Sequence, residues 1–396
     1  MIIIPIFFQY FFPYLINSLF VRAIISFILS IGIALFLNKK MIFWNDKKKH
    51  IREHIRDIGI IGQKEKEGTP TMGGIIIIIS ALIPTVIFSI FNIYIIILII
   101  TTLWMGLIGF IDDYIKIKYH KNGLSVFGKI LGQIILGIFI GTTMSFHKKI
   151  FPIKELSHHE YAKKHFYKKE DRFKTTLPIF SKKKEFNYTY ILSWYNKQWK
   201  KYVWIIFIPI VVIIIISVSN GANLTDGIDG LTAGISSIIF VTLSIFTFLS
   251  SKKIYSDYFH CIYIPNIGEI LIFSFSFLGS LIGFLWYNIY PAKIFMGDTG
   301  SLTIGSVISV ISIILKKELI IPILCGIFLI ENLSVIVQVW YFKYSKKKYG
   351  IGKRIFLMAP LHHHFQMIGY HENKIFNFFF ILQMILSIVV FILIII

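Results

Sequence analysis

The apolar residues of this chain fall in long unbroken runs, not in the alternation of a half-buried strand or the one-sided stripe of a surface helix. Ten runs stand out, at residues 19–37, 73–91, 94–111, 126–146, 202–218, 232–249, 270–290, 302–315, 319–340 and 375–396. A helix climbs about 1.5 Å per residue, so roughly 20 apolar residues cross the hydrocarbon core of a bilayer. The eighth run is short and is ended by Lys316 and Lys317, which predicts snorkelling lysines or a shallow placement. In lipid only helices or closed barrels satisfy the backbone, and the lack of alternation excludes a barrel. The expected fold is an all-α integral membrane protein with about ten transmembrane helices, a single domain over residues 1–396.

Composition agrees and adds a charge asymmetry. Of 396 residues, 56% are hydrophobic and 15% charged, with mean hydropathy +0.73, against about a quarter charged in an average soluble domain. Lys plus Arg number 41 and Asp plus Glu 20, a net charge of +21. Such an excess points to anionic partners, either lipid headgroups or phosphorylated substrates. Cys261 and Cys325 lie in or beside apolar stretches without CxxC or Cys/His spacing, so neither a disulfide framework nor a structural zinc site is expected. Residues 1–14 lack a basic n-region and no small-residue cleavage site follows, which argues against a cleavable signal peptide.

Ten spans make the loops alternate between two sides, and Lys/Arg counts set the orientation. Loops 38–72, 112–125, 219–231, 291–301 and 341–374 carry 20 basic residues and the opposite side 19, but 15 of those 19 lie in one long segment, 147–201. Long loops translocate with little regard to charge, so the first set is expected in the cytoplasm and both termini outside. Segment 147–201, rich in Lys, Tyr and Phe and without a repeat, is expected to be a solvated basic external insertion.

The short polar clusters, at 66–74, 112–116, 220–230, 295–301 and 358–365, fall on the side expected to be cytoplasmic, which predicts an active site formed by converging cytoplasmic loops. A transporter would instead place ionisable groups at mid-bilayer on broken helices. Glu331, beside Asn332, is the one clear charge inside a predicted span, and it reads equally as a buried, paired structural acid or as a functional one.

Asp112 and Asp113 follow the third run at its partially negative C-terminal end, where two carboxylates are disfavoured by the dipole and by each other. They read as a solvated helix end or as metal ligands or bases. Hard oxygens beside a membrane suit Mg2+, and Lys116 would add a cation for a diphosphate. Asn220, Asn223, Asp226 and Asp229 recur at a spacing of three among Gly221, Gly227 and Gly230. Capping explains one Asp and one Asn; four polar residues point to a ligand. Asp298, in the run Gly297 to Ser301, directly precedes a span, so it can cap that helix and also hold a metal and a phosphate there. His362, His363 and His364 are consecutive, so their side chains diverge. That suits hydrogen bonds to phosphate or sugar better than a transition-metal site, with loop packing as the alternative. Lys353 and Arg354, just upstream, could serve substrate phosphate or anionic lipid.

PTMGG at 70–74, DDxxK at 112–116, NxxNLTDGxDGL at 220–231, FMGDTGSL at 295–302 and GKRxFxMAPLHHHF at 352–365 together resemble the phospho-N-acetylmuramoyl-pentapeptide-transferase family, of the polyprenyl-phosphate N-acetylhexosamine-1-phosphate transferase superfamily. Two features depart from it: segment 147–201 is longer than the family's external loop, and Gln366 follows HHHF where an acidic residue is common. The resemblance implies transfer of phospho-MurNAc-pentapeptide from UDP-MurNAc-pentapeptide to undecaprenyl phosphate, giving lipid I and UMP, with Mg2+, at the cytoplasmic face of the bacterial inner membrane. It implies Asp298 as metal ligand, with Asp112 and Asp113 sharing metal binding and base or orienting duties. It puts Lys66, Thr71, Asn223, Asp226 and Asp229 on the uridine-diphosphate part, and His363 with His364 at the phosphate or sugar, His363 in a catalytic role. Lys116, Asn220, Ser301 and His362 complete the expected substrate-binding set. The partners implied are the two substrates and anionic membrane lipids, with no nucleic acid; a homodimer is compatible with this reading. A GlcNAc-1-phosphate transferase would share DDxxK and the Asp-rich loop but not MAPLHHHF, and a transporter or channel is the alternative of a different class.

Overall fold

A computed structural model describes residues 18–48, 66, 68–119, 123–148, 150, 172–177 and 185–395. The expectation for residues 1–14, and residues 149, 151–171 and 178–184 of the long insertion, lie outside them. Helices α1 (Leu19–Lys48), α2 (Gly74–Phe88), α3 (Ile93–Tyr119) and α4 (Val126–Phe146) come first. An antiparallel pair, β1 (Lys174–Thr176) with β2 (Glu185–Asn187), and a short helix α5 (Thr189–Ser193) follow. Then come α6 (Trp204–Thr225), α7 (Leu231–Ser251), the short α8 (Lys253–Tyr258), α9 (Glu269–Asn288) and α10 (Gly297–Ile314). The chain continues with α11 (Ile321–Leu324), α12 (Gly326–Tyr349), α13 (Leu361–Ile368) and α14 (Glu372–Ile395).

Each of the ten apolar runs lies on helix. Among the described residues, eight helices are long and apolar enough to cross a membrane, and the other two runs differ for local reasons. α2 has only 15 residues, with Pro84 inside it. The ninth run is broken: Glu318–Leu324 and Gly326–Tyr349 meet at 77°. At the break, the amide side chain of Gln383 on α14 donates to the carbonyl of Leu324 at 2.8 Å. That bond satisfies a backbone group which lipid would penalise heavily if left alone.

The bundle is organised around α10. Every residue from Asp298 to Ile314 is buried, and α2, α3, α6 and α7 pack around it. Its sequence interleaves Gly, Ser and Thr with Ile and Val. Several of its hydroxyls return hydrogen bonds one turn back, Thr303 to Thr299, Ser309 to Gly305 and Ser312 to Ile308, so these small residues admit close neighbours with their own polar atoms satisfied. Gly109 of α3 shows how close: a Cβ there would overlap the backbone of Asp298 and Thr299. This contact sets the last turns of α3 against the first turn of α10.

Two expectations are corrected at the opposite end of α10. The helix begins at Gly297, ahead of the apolar run, and so reaches 18 residues. Its terminal lysines do not snorkel, since Lys316 is 0% and Lys317 1% exposed. Lys316 Nζ donates to Arg172 O at 2.7 Å and Lys317 Nζ to Thr176 Oγ1 at 3.0 Å, while the Thr175 hydroxyl bonds the Glu318 carboxylate. Each ammonium also faces a ring, Phe207 for Lys316 and Phe246 for Lys317. Segment 147–201 is therefore not wholly solvated. Arg172, Phe173, Thr175, Thr176, Asn187 and Tyr188 are buried, because hairpin oxygens satisfy cations that would otherwise have to reach water.

Candidate active site

The polar segments meet at the N-terminal end of α10. Gly73 N donates to Phe295 O at 2.9 Å, Gly74 N to Met296 O at 2.8 Å and Phe295 N to Pro70 O at 2.8 Å, so residues 70–74 and 295–296 pair through their backbones. Asn223 Nδ2 donates to Ser301 Oγ at 2.9 Å. Gly227 lies against the histidines, and a Cβ on it would overlap His362 Nε2. The carriers of the chemistry differ from the expected loops. α3 continues to Tyr119, so Asp112 and Asp113 are helical; Asp298 lies in the first turn of α10 and the three histidines in α13.

Asp112 and Lys116 are one turn apart on α3, and Lys116 Nζ sits 2.7 Å from Asp112 Oδ2, 3.0 Å from Asp298 Oδ1 and 3.8 Å from Asp113 Oδ1. A second ammonium, Lys129 from the first turn of α4, lies 3.0 Å from Asp112 Oδ1 and pairs with Asp298 Oδ2. Sequence reasoning missed Lys129: it is one lysine near the start of an apolar run, with no motif around it. The backbone N–H of Leu124 also donates to Asp112 Oδ1 at 2.6 Å.

Asp113 does something else. Its Oδ1 accepts from Asp298 N at 3.0 Å, and its Oδ2 accepts from Thr299 N at 2.9 Å and Thr299 Oγ1 at 2.6 Å. Met296, at the N-cap position of α10, supplies no side-chain cap. The cap comes instead from α3, and Asp298 is not the capping residue that its position suggested. A carboxylate at a helix N-terminus satisfies orphan N–H groups and complements the dipole, typically stabilising by about 1 kcal/mol.

The donor set fits a divalent cation. Asp112, Asp113 and Asp298 offer oxygens within 4.8 Å of one another, hard ligands of the kind Mg2+ takes. Two ammoniums already stand among them, so positive charge is what this arrangement holds. Because Asp113 is committed to α10, Asp112 and Asp298 are best placed to ligate.

A second network flanks this cluster. Lys66 Nζ bridges Asp229 Oδ1 and Glu372 Oε2, both at 2.6 Å, and Asp229 Oδ2 accepts from Ala292 N at 2.9 Å. Glu372, another residue missed in the sequence, accepts from Gln366 Nε2 at 3.1 Å, and Gln366 Oε1 lies 2.7 Å from His363 Nδ1. The three histidines do not all diverge as expected: the His362 and His363 ring centroids lie 4.2 Å apart, both rings against Gly227, while His364 packs edge-on beside Phe356. His362 N donates to Glu331 Oε1 at 3.2 Å, with both side chains fully buried, so Glu331 is a paired acid tethering α13 to α12. His364 Nδ1 accepts from Leu357 N at 3.2 Å. For His363, burial first, then neighbouring His362 and Lys66, push the imidazole pKa down to about 4.

The four polar residues at a spacing of three sit among different neighbours. Asn220 turns to Gln133 of α4 at 2.9 Å, Asn223 to Ser301 and Asp229 to Lys66, while Asp226 ends α6 at its C-cap. Thr71 is buried within the 70–74 segment that pairs with 295–296.

Residues 95–316 match the family described as glycosyl transferase family 4, and residues 66–78 match phospho-N-acetylmuramoyl-pentapeptide-transferase signature 1. The phospho-N-acetylmuramoyl-pentapeptide-transferase of Flavobacterium psychrophilum is 49% identical over 377 residues, covering 93% of this chain and 92% of the relative. That of Flavobacterium johnsoniae is 48% identical with the same coverage. That of Parabacteroides distasonis is 46% identical over 356 residues, covering 88% and 84%.

Proposed function

The chain belongs to glycosyl transferase family 4 and, within it, to the phospho-N-acetylmuramoyl-pentapeptide-transferases, and from that premise we propose that it transfers phospho-MurNAc-pentapeptide from UDP-MurNAc-pentapeptide to undecaprenyl phosphate, forming lipid I and releasing UMP for peptidoglycan synthesis. The observation that carries the chemistry is the gathering of Asp112, Asp298, Lys116 and Lys129 at the first turn of a buried helix.

Phosphoryl transfer needs control of charge more than covalent help. Lys116 and Lys129 attract the diphosphate. Asp112 and Asp298 would hold Mg2+, which would supply charge neutralisation for the diphosphate and the leaving UMP. Asp113 keeps the turn carrying Asp298 in place. A phosphate monoester has its second pKa at about 6 and is largely dianionic at neutral pH, so the acceptor needs no base. Its oxygen attacks the phosphorus that bears the sugar, and the bond to UMP breaks. Lys66, Thr71, Asn223, Asp226 and Asp229 serve the nucleotide side, supported by the links from Lys66 to Asp229 and from Asn223 to Ser301. The partnership of Asn220 with Gln133 favours packing over substrate contact.

The site faces the cytoplasm of a bacterial inner membrane, on the Lys/Arg distribution and because its donor is a soluble nucleotide. At the opposite end, Trp194 and Tyr195 are 90% and 82% exposed, beside Lys197, Lys200 and Lys201 in a stretch without acids. Such side chains suit an anionic headgroup layer.

The test is UMP release by purified protein in nanodiscs. Release should require polyprenyl phosphate and Mg2+ together and should prefer UDP-MurNAc-pentapeptide to UDP-GlcNAc, by factors that reach about 10⁴ where a polar site is left unpaired. Equal use of both donors would favour the GlcNAc-1-phosphate rival, and no release at all would favour a transporter.

A further inference from the structure

Gln366 stands three residues after His363 on α13, so both side chains share one helix face. Behind it lies Glu372, whose other carboxylate oxygen is 2.6 Å from Lys66 Nζ. A carboxylate held by an ammonium accepts hydrogen bonds only, so the Gln366 amide must present its NH2 to Glu372 and its carbonyl oxygen to the imidazole. That oxygen can only accept. The proton of His363 is therefore on Nδ1, and in the neutral ring Nε2 keeps its lone pair. Nε2 faces Gly227, 3.2 Å from where a Cβ on that residue would stand. His362 Nε2 already takes the Cβ position, so glycine at 227 is what lets both imidazoles lie against the Asp-rich loop.

We propose that Gln366 is a positioning residue that locks His363 in the Nδ1–H tautomer, so that Nε2 accepts a hydrogen bond from an O–H or N–H of the nucleotide-sugar donor. The ligand rests on the transferase reading above; the tautomer does not. A phosphate oxygen would bring a second lone pair against Nε2, so His363 reads a neutral donor group and not a phosphate. The charged and titratable groups around the ring are Lys66, His362 and, through Gln366, Glu372. The depressed pKa of about 4 keeps the ring neutral in the working range.

The first readout is 15N NMR of histidine-labelled protein in nanodiscs at pH 7, without substrate, with His363 assigned by its loss in His363→Gln. An Nδ1–H tautomer is expected; an Nε2–H tautomer or an imidazolium overturns the proposal, whatever the transfer assay shows. Kinetics supply the second. Gln366→Leu should raise KM for the UDP donor about tenfold with a smaller change in kcat, a loss in line with one neutral hydrogen bond. Gln366→Glu keeps an acceptor for Nδ1–H, so it should retain the tautomer and hold KM near that of the unmutated enzyme at alkaline pH. The added carboxylate should raise the His363 pKa and move the acid limb of kcat/KM upward. Unchanged KM in Gln366→Leu, or an unmoved acid limb in Gln366→Glu, would overturn the positioning role.

Discussion

The Asp113 carboxylate accepts the backbone N–H of Asp298 at 3.0 Å, so one acidic residue holds the helix turn that presents the other. Their substitutions should separate. Asp298→Asn removes a charged oxygen from the Lys116 and Lys129 cluster, and its kcat should fall at least about 100-fold, roughly 2.7 kcal/mol of barrier, with little change in melting temperature. Asp113→Asn turns an amide toward helix N–H donors and should cost about 1–3 kcal/mol of stability. Measuring kcat and Tm on both variants decides; a larger Tm loss in Asp298→Asn would reverse the assignment.

Lys129 joins Asp112 and Asp298 from a different helix. If it handles diphosphate charge, Lys129→Gln should lower kcat/KM at least about tenfold, or about 1.4 kcal/mol, and Lys129→Arg should recover part of that. Normal kinetics in Lys129→Gln would reduce it to a structural ion pair.

Burial pushes the Lys316 pKa down from 10.5 to about 8. Between those values the unfolded chain holds a proton that the folded protein has shed, so this group makes stability rise with pH across the window. Below about pH 8 both states are protonated and its contribution is flat. In detergent, Tm of the unmutated protein should therefore gain on that of Lys316→Met as pH rises from 8 toward 10.5. Parallel curves would contradict a buried lysine that titrates low.

Trp194 should lie in the headgroup layer. In proteoliposomes containing anionic lipid, lipids brominated high on the acyl chain should quench a component of emission that Trp194→Phe removes, while aqueous acrylamide quenches it weakly. Strong acrylamide quenching with no bromolipid effect would place this stretch in water.

What the sequence determined follows from lipid as a solvent. A bilayer offers the backbone no partner, so each long apolar run had to be mainly helix, and among the described residues each of the ten is, the ninth with a break. Residue type also determined the class of chemistry: paired aspartates, lysines and a Gly-rich acidic loop suit phosphate and a hard cation wherever they meet. Tertiary structure decided which of them meet and in what role. Lys129 and Asp298 are 169 positions apart, and no spacing rule connects them. Asp113 and Asp112 are adjacent and alike in sequence, yet one caps α10 and the other faces two ammoniums, because successive helical side chains point about 100° apart. Lys316 and Lys317 read as membrane-edge cations until the hairpin covered them. Periodicity reports the solvent a segment meets, whereas an ion pair or a cap depends on which two distant segments are packed together, and that is settled only when the small residues of α10 let its neighbours close around it.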